Sequence, residues 1–168
     1  MKGASVSSDS KVVSFSSYID PVRKTISVAC TPDRAFSIFT EGISRWWPLK
    51  QLSLSQARAV SCAIEPRLGG AVYEVADDGA RIEWGQVLVW DPPSRLVMSW
   101  HPGSPADTAQ EVEVRFTAHG AGTRVDLEHR GWEKLGERAA EARSTYEGGW
   151  VLVFETLFAQ ACATGDDK

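Results

Sequence analysis

Hydrophobic positions along this chain follow two periods in succession. Val22 to Ala29 alternates loosely and is rich in β-branched residues, which predicts a strand. Thr31-Pro32-Asp33 reads as a helix start, with Thr as N-cap, Pro at the first helical position and Asp in the first turn. Ala35, Phe36, Ile38 and Phe39 supply its apolar face, Gly42 ends or bends it, and Ile43 to Trp47 add a short turn before Pro48. Residues 48–57 are polar with scattered leucines and read as a loop. Strand patterns then recur between turn signals: Arg58–Glu65, Ala71–Ala76, Arg81–Trp90, Arg95–His101, Ala109–Ala118 and Thr123–His129. Asp78-Gly79 marks a tight hairpin. In the last two strands Val112, Val114 and Phe116 alternate with Glu111, Glu113 and Arg115, and Val125 and Leu127 alternate with charges. His129 shares their inward parity.

From Gly136 to Ala163 the period changes to that of a helix. There is no proline, and Tyr146, Trp150, Val153, Leu157 and Ala161 fall on one stripe. Gly148 and Gly149 interrupt it, each costing about 1 kcal/mol against alanine. The pair implies tertiary packing, with close approach to a sheet as the expected reason. The order predicts an α+β fold: a curved antiparallel sheet, of one strand and a six-strand meander, against a long C-terminal helix, with two short helices after the first strand. Residues 21–164 form the expected single domain, behind a serine-rich disordered tail at 1–20.

Composition narrows the function classes. The 168 residues suffice for a hydrophobic core without staples. The formal charge of −4 is spread without a basic stripe, which argues against nucleic acid. No apolar run is long enough for a membrane span or a signal peptide. Cys30, Cys62 and Cys162 are dispersed and odd in number, which argues against a disulfide framework or zinc site and suits a reducing, cytoplasmic setting. No phosphate loop, nucleophile elbow or metal-ligand cluster is present, so no cofactor is expected.

Several phrases together resemble one known family. They are Phe36-x-x-Phe39-Thr40-Glu41-Gly42-Ile43-x-x-Trp46-Trp47-Pro48, Glu65-Pro66-Arg67-x-Gly69-Gly70, Trp84-Gly85-x-Val87, Asp91-Pro92-Pro93-x-Arg95-Leu96, Leu127-Glu128-His129-x-Gly131-Trp132 and Tyr146-x-x-Gly149-Trp150. Over roughly residues 22–163 the chain is similar to the START-like (SRPBCC) superfamily, in its activator of heat-shock-protein-90 ATPase homologue-like branch. The resemblance implies a helix-grip fold whose sheet and long helix enclose a pocket for a hydrophobic ligand. Some relatives in the superfamily are cyclases, dehydratases or hydrolases.

The seven tryptophans supply the candidate site. An indole-lined wall suits flat or apolar ligands, and it equally suits a solid core. The candidate ligand-binding residues are Phe39, Trp46, Trp47, Glu74, Trp84, Trp100, His129, Trp132, Tyr146 and Trp150. Trp46 and Trp47 serve as gate or plug. His129 is a polar group at the pocket floor or a structural histidine. Of Glu74 and Glu83, on paired strands, parity does not say which turns inward. Three functions follow: binding of a small hydrophobic or aromatic molecule in a cavity of about 300–1,000 Å³, acid–base lyase, cyclase or hydrolase chemistry there, or a protein-interaction or stress-response module. A homodimer is left open.

Overall fold

The computed structural model describes residues 18–164. The expected tail therefore lies outside the described residues up to position 17. Seven strands form one antiparallel sheet in the order β1-β7-β6-β5-β4-β3-β2. They are β1 (Val22–Val28), β2 (Ala59–Ile64), β3 (Ala71–Ala76), β4 (Arg81–Asp91), β5 (Arg95–Trp100), β6 (Gln110–His119) and β7 (Gly122–Arg130). The meander β2 to β7 follows chain order, and β1 returns to pair with β7, Val22 opposite His129 and Val28 opposite Thr123.

Register shifts at Ala59/Ser61, Val72/Tyr73 and Val87/Val89 curl the sheet, as an extra residue on one strand bends it. Gly85 sits at the bend of β4, whose first half pairs with β3 and whose second half pairs with β5. A side chain there would collide with the Ser99 carbonyl oxygen, so only glycine admits this approach. The bend turns the adjacent Trp84 into the concave side, where it is buried.

Helix α1 (Pro32–Thr40) starts as expected, with the Thr31 hydroxyl accepting from Arg34 N–H at 3.3 Å. It is followed by α2 (Ile43–Trp46). The expected loop 48–57 instead contains a helical turn, α3 (Leu49–Leu52), whose Gln51 and Leu52 N–H groups bond to Pro48 O. The signal was weak because such a short turn needs no repeating apolar face.

The C-terminal helix begins later than expected. Gly131 and Gly136 have φ of +89° and +58°, so Trp132–Arg138 forms an irregular 3₁₀ segment and α4 is Ala139–Trp150. The helix then widens into a π-helical stretch, Val151–Phe158, before α5 (Ala159–Ala163). Ala159 N–H bonds to Phe154 O, five residues back, and the Thr156 hydroxyl bonds to Val151 O. This changes the inward stripe. Trp150, Phe154, Phe158 and Cys162 are buried, whereas Leu157 and Ala161 are only partly so. A spacing of four drifts around an ordinary 3.6-residue helix, and the wider turn holds it in register.

The glycine pair also differs from expectation. Side chains built at Gly148 and Gly149 would meet nothing within 4 Å, so neither marks a close approach to the sheet. The concave core instead joins Val112, Val114, Phe116, Val125 and Leu127 to Phe36, Phe39, Ile43, Phe154 and Phe158.

Candidate functional site

Most of the space between sheet and helix is filled. Trp46, Trp47, Trp84, Trp100, Trp132 and Trp150 are all buried. What remains is a cleft of about 250 Å³, smaller than the cavity expected, lined by four indoles (Trp47, Trp84, Trp100, Trp150) with Leu52, Pro102, Thr145, Tyr146, Gly149 and Val153. Trp84 and Trp100 come from β4 and β5, Trp47 from the end of α2, and Tyr146 and Trp150 from α4. The indoles are tilted to one another, with centroids 5.2 Å apart for Trp47–Trp84 and 6.1 Å for Trp100–Trp150. Gly149 adds no side chain to the wall, which leaves the helix side of the cleft open.

The polar groups around these rings form short chains. Trp100 Nε1 donates to the Tyr146 hydroxyl at 3.1 Å. Burial pushes the Tyr146 phenol up, against the bond from Trp100, so it stays protonated. Its own O–H finds no acceptor among the described residues. Trp150 Nε1 donates to His129 Nδ1 at 3.1 Å. An indole N–H can only donate, so Nδ1 is the bare nitrogen and the neutral ring carries its proton on Nε2. Among the described residues that Nε2 has no partner, and neither has the buried Trp47 Nε1. Burial drives the imidazole pKa down to about 3.

His129 is fully buried, as its parity implied, but it does not line the cleft. It lies behind Tyr146 and Trp150, with ring centroids 4.7 and 6.1 Å away, and against Trp132 at 4.0 Å. Trp132 Nε1 closes this packing by donating to His129 O. Trp46 touches Trp47, with centroids 5.9 Å apart, but does not line the cleft: its Nε1 bonds to Ile38 O, and its ring packs on Phe39 and Phe158. Of the ten candidate residues, Trp47, Trp84, Trp100, Tyr146 and Trp150 meet at the cleft, while Phe39, Trp46, Glu74, His129 and Trp132 stand behind it.

Glu74 is the inward carboxylate, fully buried, and Glu83 is exposed. Glu74 accepts from Trp84 Nε1 (2.9 Å), Leu54 N–H (2.9 Å), Ser55 N–H (2.7 Å) and the Ser55 hydroxyl (2.9 Å). It therefore pins the segment after α3 to the sheet and fixes the Trp84 ring. Leu52, Pro102, Thr145, Gly149 and Val153 were missing from the sequence-based set: loop and helix-surface residues carry no inward periodicity, and Val153 was read only as part of the packing stripe.

Two other depressions differ in character. A groove of about 520 Å³ runs between α1 and α5, past Arg34, Glu41, Arg45 and Gln160. Another, of about 340 Å³, crosses the outer sheet face among paired charges, including Glu113, Arg115 and Arg130. Neither gathers the unpartnered buried donors. Among the described residues no His/Cys/Asp/Glu cluster is arranged for a metal, and no helix is long and apolar enough to cross a membrane.

The family model for Activator of Hsp90 ATPase homolog 1-like protein matches residues 29–161. The chain belongs to that family. Among solved structures, this family member is similar to the anthrahydroquino-γ-pyrone synthase Txn09, with 34% identity over 86% of this chain and 97% of that one, at a TM-score of 0.58. It is similar to CalC, a self-sacrificing resistance protein from Micromonospora echinospora, with 26% identity over 89% and 98% and a TM-score of 0.62. The Aha1 dimer of Colwellia psychrerythraea shares the fold at 13% identity over 83% and 96%, with a TM-score of 0.54. No curated protein matches the chain. The fold is the helix-grip fold of the SRPBCC superfamily.

Proposed function

We propose that this protein binds a flat, partly aromatic small molecule in the indole-lined cleft. The observation that carries the reading is the convergence of Trp47, Trp84, Trp100 and Trp150 on one open space. Mutually tilted indoles offer both faces and edges, and aromatic contacts contribute about 0.5–1.5 kcal/mol each beyond area burial. The cleft takes one edge of a ring system, and the remainder sits in its mouth beside Leu52 and Pro102. The test compares a three-ring aromatic with a saturated lipid of similar size by quenching of tryptophan fluorescence. The wild type quenches with the aromatic, and Gly149→Leu, which fills the open helix side, loses that response at an unchanged melting temperature. Equal binding by wild type and Gly149→Leu would place the ligand elsewhere.

A second reading is ring closure on such a ligand, favoured by the 34% identity to a pyrone synthase. Tyr146, held by Trp100 and facing the cleft, is the residue placed to donate a proton there. Turnover of an uncyclised aromatic precursor by wild type, and its loss in Tyr146→Phe, is the expected result by mass spectrometry.

A further inference from the structure

The cleft's polar groups divide sharply by type. Of its four indole N–H groups, Trp84's is used by Glu74, Trp100's by Tyr146 and Trp150's by His129, while Trp47's has no acceptor among the described residues and is itself buried out of reach. The Thr145 hydroxyl bonds back to Glu141 O. The Tyr146 oxygen already accepts a bond, and its hydrogen is unused. Glu74, the carboxylate nearest these rings in the hydrogen-bond network, is surrounded by four donors. No charged side chain lines the cleft.

The unused capacity inside the cleft is therefore the Tyr146 donor, with the oxygen of the exposed Thr145 as the acceptor left beside it. We propose, resting on the reading of the cleft as an aromatic site, that it selects neutral aromatic ligands bearing an acceptor oxygen. A ring carbonyl or phenolic oxygen would take the Tyr146 O–H. The Trp100 bond to the Tyr146 oxygen polarises the hydroxyl and strengthens it as a donor. A buried donor without a partner disfavours the empty state, so a ligand oxygen that satisfies it gains affinity over the same ring frame without one. Carboxylates find no cation in the cleft, and amines find no carboxylate there, so both classes bind more weakly than the neutral ketone.

The experiment uses 9-fluorenone and fluorene, which share a ring frame and differ at the carbonyl. Titration calorimetry is run on the full chain, Tyr146→Phe and Trp100→Phe, each checked for an unchanged melting temperature. The wild type should bind fluorenone more tightly than fluorene. Tyr146→Phe should weaken fluorenone roughly threefold to tenfold, the worth of one neutral hydrogen bond, and leave fluorene unchanged. The C=O stretch of bound fluorenone should shift to lower wavenumber in the wild type and return in Tyr146→Phe. Trp100→Phe keeps an aromatic wall and removes the bond that strengthens the Tyr146 donor, so it reads the same contact if Tyr146→Phe fails to fold. Equal affinity of the wild type for both probes, or a stretch unmoved by either variant, overturns the acceptor-oxygen proposal while leaving the aromatic site standing. Binding of neither probe overturns the aromatic site itself, and the proposal with it.

Discussion

Glu74→Gln is the substitution that most directly tests how the cleft wall is held. The carboxylate receives two donors on each oxygen: Leu54 N–H and Trp84 Nε1 on one, Ser55 N–H and Oγ on the other. Glutamine keeps the shape and one acceptor oxygen, and turns an NH₂ group toward two of the four donors. Two charge-assisted bonds, each about 1.5–3 kcal/mol, are lost, and the surviving pair weakens to neutral strength. Relief from burying a charge offsets part of this. The net expectation is a loss of about 2–4 kcal/mol. Urea denaturation followed by circular dichroism gives the value, provided the slope is unchanged. Release of the segment after α3 should also speed tryptic cleavage at Lys50 and Arg58, which flank it. Ser55→Ala in the Glu74→Gln background should cost less than in the wild type, since both act on one network. A Glu74→Gln protein within about 0.5 kcal/mol of the wild type, with unchanged proteolysis, would refute the assignment of Glu74 as the anchor of this wall.

Three further expectations concern stability. His129 is held far below its ordinary pKa, at about 3, by burial, so the unfolded chain binds its proton first as pH falls. Its contribution is complete above about pH 6.5 and is lost toward pH 3 at up to roughly 1.4 kcal/mol per unit. Nitrogen-detected spectra should show a neutral ring protonated at Nε2 at pH 5, and an imidazolium there would refute the assignment. Glu113 is 5% exposed, and burial alone would raise it, but hydrogen bonds from Arg95, Arg130 and Arg115 hold it at about 2. Its stabilisation is present above about pH 4.5 and fades toward pH 2, so Glu113→Gln should cost about 2 kcal/mol at pH 7, discounted for the partly solvated arginines, and little at pH 2. Gly148→Ala should stabilise the helix by about 0.5–1 kcal/mol, read as a raised melting temperature, because its new methyl group meets nothing.

The sheet was legible because its strands obey period two and its turns announce themselves. Gly79, at φ +83°, stands where Asp78-Gly79 predicts a tight turn, and Thr31 caps α1 as its sequence suggests. Membership of the family was legible from phrases spread over the whole domain. The helix stripe was misread beyond Val153 because an α-helical period was assumed across residues that form wide turns. The cavity was overestimated because a list of tryptophans does not say which of them fill space. Parity placed His129 inward, but it could not show that Tyr146 and Trp150 would screen it from the cleft. Glu74 and Glu83 were separable only once the bulge at Val72/Tyr73 had fixed the local register.

The π-helical stretch lets one helix serve two neighbours from a single edge. Before it, Tyr146, Gly149 and Trp150 face the cleft. Within it Val153 still lines the cleft while Phe154 and Phe158 enter the aliphatic and phenylalanine core, where Cys162 follows. An unbroken α-helix would carry a four-residue repeat off that edge within a few turns. Binding wall and core are thereby geared together, and a substitution that rewinds the wide turns should disturb both at once.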